Sequence, residues 1–230
     1  MMRYSSKNFP ELMSATSTGY TIGIRIILIL FFILLLSLFY IIPFVLFIDS
    51  TTTLETYIPL FLYILLLTFG TYKLVQKIRE DKKNATQQIT INHKGIHYHK
   101  LNGNIESILY SELTKSNNPY TEDIYAKTIG INESRRTVLK LFHKGIEKSI
   151  PFQHTNIFFT QLSINRRELR SHFIQGITLF RPDLKISQQV FTSFFINPTN
   201  FEFDKKKYIQ TIFLAIILII IILTLVIISI

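Results

Sequence analysis

The sequence has no cysteine and no tryptophan, and it is short of acids, with 15 Asp and Glu against 25 Lys and Arg. Without cysteine the chain forms no disulfide and no thiolate metal site. Three long apolar stretches contain no Asp, Glu or His. Carboxylates and imidazoles inside a membrane are the usual mark of ion paths and proton relays. Their absence from these stretches argues against a transporter or pump. The chain also lacks H-E-x-x-H and G-x-S-x-G patterns, so a membrane protease or esterase has no visible machinery.

The 230 residues are unevenly divided: apolar residues gather at the two ends, and the middle has the mix of a soluble domain. Residues 26–48 form an uncharged run. At about 1.5 Å of helical rise per residue it reaches roughly 34 Å, enough for a hydrocarbon core of about 30 Å. Residues 57–75 form a second run, interrupted only by Lys73, which sits near enough to its end to snorkel. Residues 209–230 form the third and most apolar run. A polar segment precedes the first run, the run is long for a signal peptide, and no A-x-A site follows, so it is expected to be a retained helix. Three transmembrane helices are therefore expected.

The positive charges set an orientation. Arg3, Lys7 and Arg25 precede the first run, and Lys73, Lys77, Arg79, Lys82 and Lys83 crowd the end of the second. Lys205, Lys206 and Lys207 precede the third, whereas the connection 49–56 has Asp49 and Glu55 and no Lys or Arg. A multi-pass protein of the cell membrane is expected, with the N-terminus and middle domain cytoplasmic and the C-terminus external. The expected divisions are a cytoplasmic segment 1–21, a transmembrane hairpin 22–78, a cytoplasmic domain 79–185, a juxtamembrane segment 186–207 and a C-terminal transmembrane helix 208–230.

Within the domain, residues 88–92 alternate, with Ile89 and Ile91 on one face. Lys94-Gly95 supplies a turn, 96–101 follows with Ile96 and Tyr98 inward, and Asn102-Gly103-Asn104 leads to 105–110. This is a meander of short strands. Further strands are expected at 124–131, 137–143 and 146–152, with Lys144-Gly145 between the last two, and an extended piece at 155–162. Asn165 then reads as a helix cap with Glu168 reaching back to it, Leu169 and Phe173 on one face, and Gly176 as the stop. The expected fold class is a membrane protein with a helical hairpin, a C-terminal transmembrane helix, and an α+β domain of six to seven short antiparallel strands and one C-terminal helix.

The stretch "ITINHKGIHYHKLNGNIESILYSEL" resembles the opening of bacterial pleckstrin-homology-like (PH-like) domains of small membrane proteins. Gly95 and Gly103 match the turns, and Ile108, Tyr110, Glu112 and Leu113 match an "I-x-W-x-(D/E)-I" element, with Tyr110 in place of Trp. The resemblance covers residues 87–176. It implies a small, strongly bent sheet or barrel closed by a helix, and it brings no catalytic residues with it.

His93, His97 and His99 form the most site-like cluster. His97 and His99 share an outward strand face with Thr90 and Asn92 as neighbours, which are poor ligands, so a solvated strand face is expected rather than a metal site. Between Arg79 and Lys207 there are 20 basic and 12 acidic residues. No aromatic-basic RNP pattern accompanies them, so membrane lipids rather than nucleic acid are the expected partner. Arg166, Arg167 and Arg170 fit either a lipid-facing or an ordinary solvated helix face. Ile186, Val190 and Phe194 make a stripe with Phe191 and Phe195, expected against the membrane surface. The function expected is a non-catalytic binding or scaffolding module, with no catalytic, cofactor or metal residues. The alternatives are an accessory subunit of a larger membrane complex and an enzyme or metal-dependent sensor built on His97 and His99. Another membrane protein or a second copy of the chain is a possible further partner.

Overall fold

The computed structural model describes residues 8–48, 54–118, 120–130, 136–153 and 159–229. Two short strands, β1 (Leu12–Met13) and β2 (Thr16–Ser17), lead straight into helix α1, Thr18–Ile48. Helix α2 covers Leu54–Asn84 and passes through the single residue Ala85 into β3, Thr86–Asn92. Both helices are long and apolar enough to cross a membrane. Their large apolar side chains face outward, Phe31 being 60 % and Phe61 67 % exposed. A core helix of a soluble protein would bury such residues; apolar surface on this scale is unfavourable in water. Helix α2 runs nine residues past the expected end of its apolar run, carrying Lys77, Arg79, Lys82 and Lys83.

The alternation in the middle of the sequence produces two antiparallel sheets. The first has the order β1–β3–β4–β5, with β4 at Gly95–Lys100 and β5 at Ile105–Leu109. Ile89, Ile91, Ile96 and Tyr98 are all buried, as their spacing predicts. The turn residues between β3 and β4 are His93 and Lys94, and Gly95 already belongs to the strand. A Cβ at Gly95 would come within 2.8 Å of the Leu109 Cα, so the close approach of β5, more than the turn, requires glycine here.

A 3-10 turn, Tyr110–Glu112, carries the chain into β6, Leu113–Thr114. The second sheet centres on β8 (Arg136–His143), which pairs with β6, with β7 (Ile124–Ile129) and with β9 (Ile146–Ile150). Residue 131 of the strand expected at 124–131 and residues 155–158 of the extended piece expected at 155–162 lie outside the described residues. Of that piece, Leu162 joins Ser163 in β10 (Leu162–Ser163), which pairs with β2.

Helix α3, Arg166–Phe180, follows. Its Leu169, Phe173, Ile174 and Ile177 are fully buried in one core with residues of both sheets, including Ile89, Ile96, Leu139 and Leu141. Gly176 does not end this helix. It lies inside it, where a side chain would strike the Tyr110 ring. Asn165 stands at the cap position without a capping side-chain bond. Its Oδ1 accepts from the Ala15 amide at 2.7 Å and its Nδ2 donates to the Met13 carbonyl at 2.9 Å.

The described part of the N-terminal segment, from residue 8 on, therefore packs on the domain. β1 pairs with β3, Leu12 opposite Ile91. Phe9 is buried, stacked on His172 with ring centroids 4.2 Å apart, and His172 Nε2 donates to the Pro10 carbonyl at 2.8 Å. The first two turns of α1 are held too: the Thr21 hydroxyl accepts from the Leu162 amide at 3.0 Å, and Arg25 donates to the Thr160 carbonyl at 3.0 Å.

The stripe expected on the membrane surface is in the core instead. Helix α4, Gln188–Phe194, packs beside β7, with Val190 0 % and Phe194 5 % exposed. The preceding residues pair with the edge of β7, Ser187 donating to the Ile124 carbonyl at 2.8 Å. That edge leaves an unpaired strand to cover, and an apolar stripe on the next segment is the piece that covers it. Helix α5, Lys205–Ser229, begins eleven residues after Phe194, the last buried residue of α4, with Asp204 capping it through the Lys207 amide at 2.9 Å.

Candidate functional site

Three polar clusters stand out. On the face of β4, His97 Nδ1 lies 2.7 Å from Ser107 Oγ and its Nε2 3.2 Å from Asn92 Oδ1. His99 Nε2 lies 3.3 Å from Thr90 Oγ1. Burial lowers the His97 pKa, and the neighbouring His99 charge adds to the effect. Both rings are thus oriented by Ser, Thr and Asn side chains. Among the described residues no group of three or more His, Cys, Asp or Glu is placed to hold a metal ion. His93 is exposed in the turn.

The second cluster joins the 3-10 turn to the end of β8. Glu112 bonds His143 Nε2 at 2.8 Å and Lys144 Nζ at 2.9 Å. The Lys144 bond, then the His143 bond, hold the Glu112 carboxyl below the usual carboxylate range. Nearby, Arg181 at the end of α3 donates to the carbonyls of Tyr110 and Leu113 and pairs with Asp183. These contacts tie the Tyr110 turn to its neighbours on both sides, a structural arrangement that spacing alone did not reveal because the partners come from separate elements.

The third cluster is the arginine face of α3. Arg167 stacks on Tyr208 at 4.0 Å and lies 4.8 Å from the Phe203 ring. Arg170 lies 4.0 Å over Phe194 and 5.5 Å from Phe152. Arg166 donates to Gln153 Oε1 at 3.2 Å. None of the three forms an ion pair among the described residues. Burial brings the Arg170 pKa down to about 10, and the charges of Arg166 and Arg167 push the same way. Stacking fixes the guanidinium planes without neutralising them.

The three arginines were visible in the sequence as a basic helix turn. Tyr208 was not, because it belongs to the first turn of α5, 41 positions beyond Arg167. Its only sequence signal is its place after the three lysines, where interfacial aromatics are common. No protein-family model matches this chain, and no curated protein and no solved structure is similar to it at a significant level.

Proposed function

We propose that this chain is a non-catalytic membrane module that holds a PH-like domain at the cytoplasmic face for binding or scaffolding. The observation that carries the reading is the direct joining of helices to domain. Strand β2 ends at Ser17 and α1 starts at Thr18, and one residue separates α2 from β3. At the other end, Phe195 packs edge-on against Tyr208 of α5 at 5.3 Å. A domain joined this way keeps a set distance from the bilayer, which suits presenting a binding surface there. Two antiparallel sheets closed by α3 support the PH-like reading.

In this reading α5 is a third span. Its 25 residues and the exposure of Ile209, Phe213 and Leu214 favour that. The lysines at 205–207 and the basic end of α2 favour a cytoplasmic domain. The absence of cysteine makes the test direct. Single cysteines are introduced as Tyr120→Cys, at an exposed loop position, and after Ile230. A membrane-impermeant maleimide is expected to label the C-terminal cysteine in intact cells, and the Tyr120→Cys chain only after permeabilisation. Labelling of both from the same side sinks the three-span topology.

A further inference from the structure

Between α3 and the start of α5 lies an open pocket of about 290 Å³ lined by Arg166, Arg167, Arg170, Thr137, Ser193 and Tyr208, among others. We propose that this pocket holds the phosphate of an anionic phospholipid headgroup taken from the bilayer around the helices. The inference rests on the membrane reading above and names a ligand class and a site for it.

Three observations lead there. First, three guanidinium groups share the pocket with no carboxylate paired to any of them among the described residues. Like charges gathered in this way repel, and a partly buried pocket screens the repulsion poorly. A bound anion relieves it. Second, the site is rich in donors and poor in acceptors. Arg170 Nε is buried without a hydrogen-bond partner among the described residues, and the hydroxyl-bearing residues Thr137, Ser193 and Tyr208 line the same space. A phosphate supplies acceptor oxygens to several donors at once, and planar guanidinium forks match its geometry.

Third, the position selects a lipid over a soluble phosphate. Tyr208 lies in the first turn of α5. The other side of the same arginine pair opens on a second pocket of about 510 Å³, lined by Tyr20 and Ile24 of α1. Arg166 and Arg167 therefore stand between the first turns of two long apolar helices. If those helices cross the bilayer, their first turns are at headgroup depth. The aromatic contacts of Arg167 and Arg170 already fix the guanidinium planes, so little side-chain freedom remains to be lost on binding.

Native mass spectrometry of the full chain, released from detergent containing equal phosphatidylglycerol and phosphatidylcholine, reads the bound lipid directly. One phosphatidylglycerol per chain is expected to be retained in preference to phosphatidylcholine. Retention is expected to fall by about tenfold in Arg166→Gln/Arg167→Gln, which removes two charge-assisted contacts. It is expected to persist in Lys205→Gln/Lys206→Gln/Lys207→Gln, whose side chains do not line the pocket. Arg170 is left intact because it packs on core rings. Arg166→Gln alone, at an exposed position, provides a variant whose fold is checked by its unchanged melting curve.

Equal retention of the two lipids, or full retention by the double variant, overturns the proposal. So does loss in the lysine variant as large as in the arginine variant, which would assign the binding to diffuse juxtamembrane charge. Displacement of the lipid by excess inorganic phosphate overturns the lipid source and makes free phosphate the ligand. The cysteine labelling described above is a separate readout. Correct labelling with no lipid preference removes the pocket and leaves the membrane module standing, whereas incorrect labelling removes the module itself.

Discussion

Gly176 and Tyr110 are fitted to each other: a Cβ at Gly176 would stand 2.5 Å from Tyr110 Cζ and closer still to the hydroxyl. The tyrosine ring has nowhere to go, since it stacks between Phe173 at 5.5 Å and Phe180 at 5.2 Å. Gly176→Ala is therefore expected to destabilise the domain by about 1–3 kcal/mol through overpacking, although alanine is the better helix former. Urea unfolding followed by circular dichroism in detergent measures it; an equal or raised midpoint contradicts the fit. Tyr110→Phe gives the complementary result. The Tyr110 hydroxyl is buried without a partner among the described residues, so its removal forfeits no hydrogen bond. The single variant is expected to be as stable as the parent or more so, and to recover part of the loss when combined with Gly176→Ala.

The N-terminal strap is predicted to be sensitive to acid. Burial lowers the pKa of His172 from its ordinary 6.5, against the opposing bond to Pro10. The docked strap thus favours the neutral ring, and the free chain binds a proton more readily. The stabilisation from this group is complete above pH 6.5 and declines as the pH falls below it. Proteolysis at residues 8–17 is expected to quicken over that interval in the parent and to lose the matching component in His172→Phe, which keeps a ring against Phe9 but cannot titrate. Faster cleavage at neutral pH than at acid pH has the wrong sign and refutes the assignment. Phe9→Ala removes the anchor itself and is expected to cost about 3 kcal/mol.

Helices α4 and α5 both carry apolar side chains, buried at Val190 and Phe194 in α4 and exposed at Phe213 and Leu214 in α5. Nitroxides placed at Phe194 and at Phe213 in bilayers are expected to diverge. The first, in the core, is immobilised and shielded from a lipid-soluble quencher; the second, 63 % exposed, is quenched. Equal quenching at both sites would return α4 to the membrane surface.

The meander from Thr86 to Leu109 was legible because alternation is local: Ile89 and Ile91, then Ile96 and Tyr98, announce their face within a few positions. The strap was not. β1 and β2 are two residues each, too short to show a period, and their partners lie far along the chain. Gly176 was misread because a helix stop and a close packing contact use the same residue for different reasons. The stripe of Val190 and Phe194 was correctly seen as apolar, but its periodicity says only that something covers it. The arginines of α3 were visible as charge, while their aromatic partners, Phe194, Phe203 and Tyr208, come from elements that only the tertiary fold brings back.

The pairing of Leu12 with Ile91 closes a loop over the whole of α1 and α2. In a flexible chain the entropy of such a closure grows with the logarithm of loop length. Here the described intervening residues are mostly two helices in contact, Tyr63 donating to the Phe39 carbonyl at 3.1 Å, which return the chain to the level it left. Once the hairpin exists, β1 meets β3 at the high effective concentration of a tethered neighbour. Completion of the first sheet is thereby made conditional on the hairpin: a chain whose two helices fail to come together also leaves the outer edge of its domain unpaired.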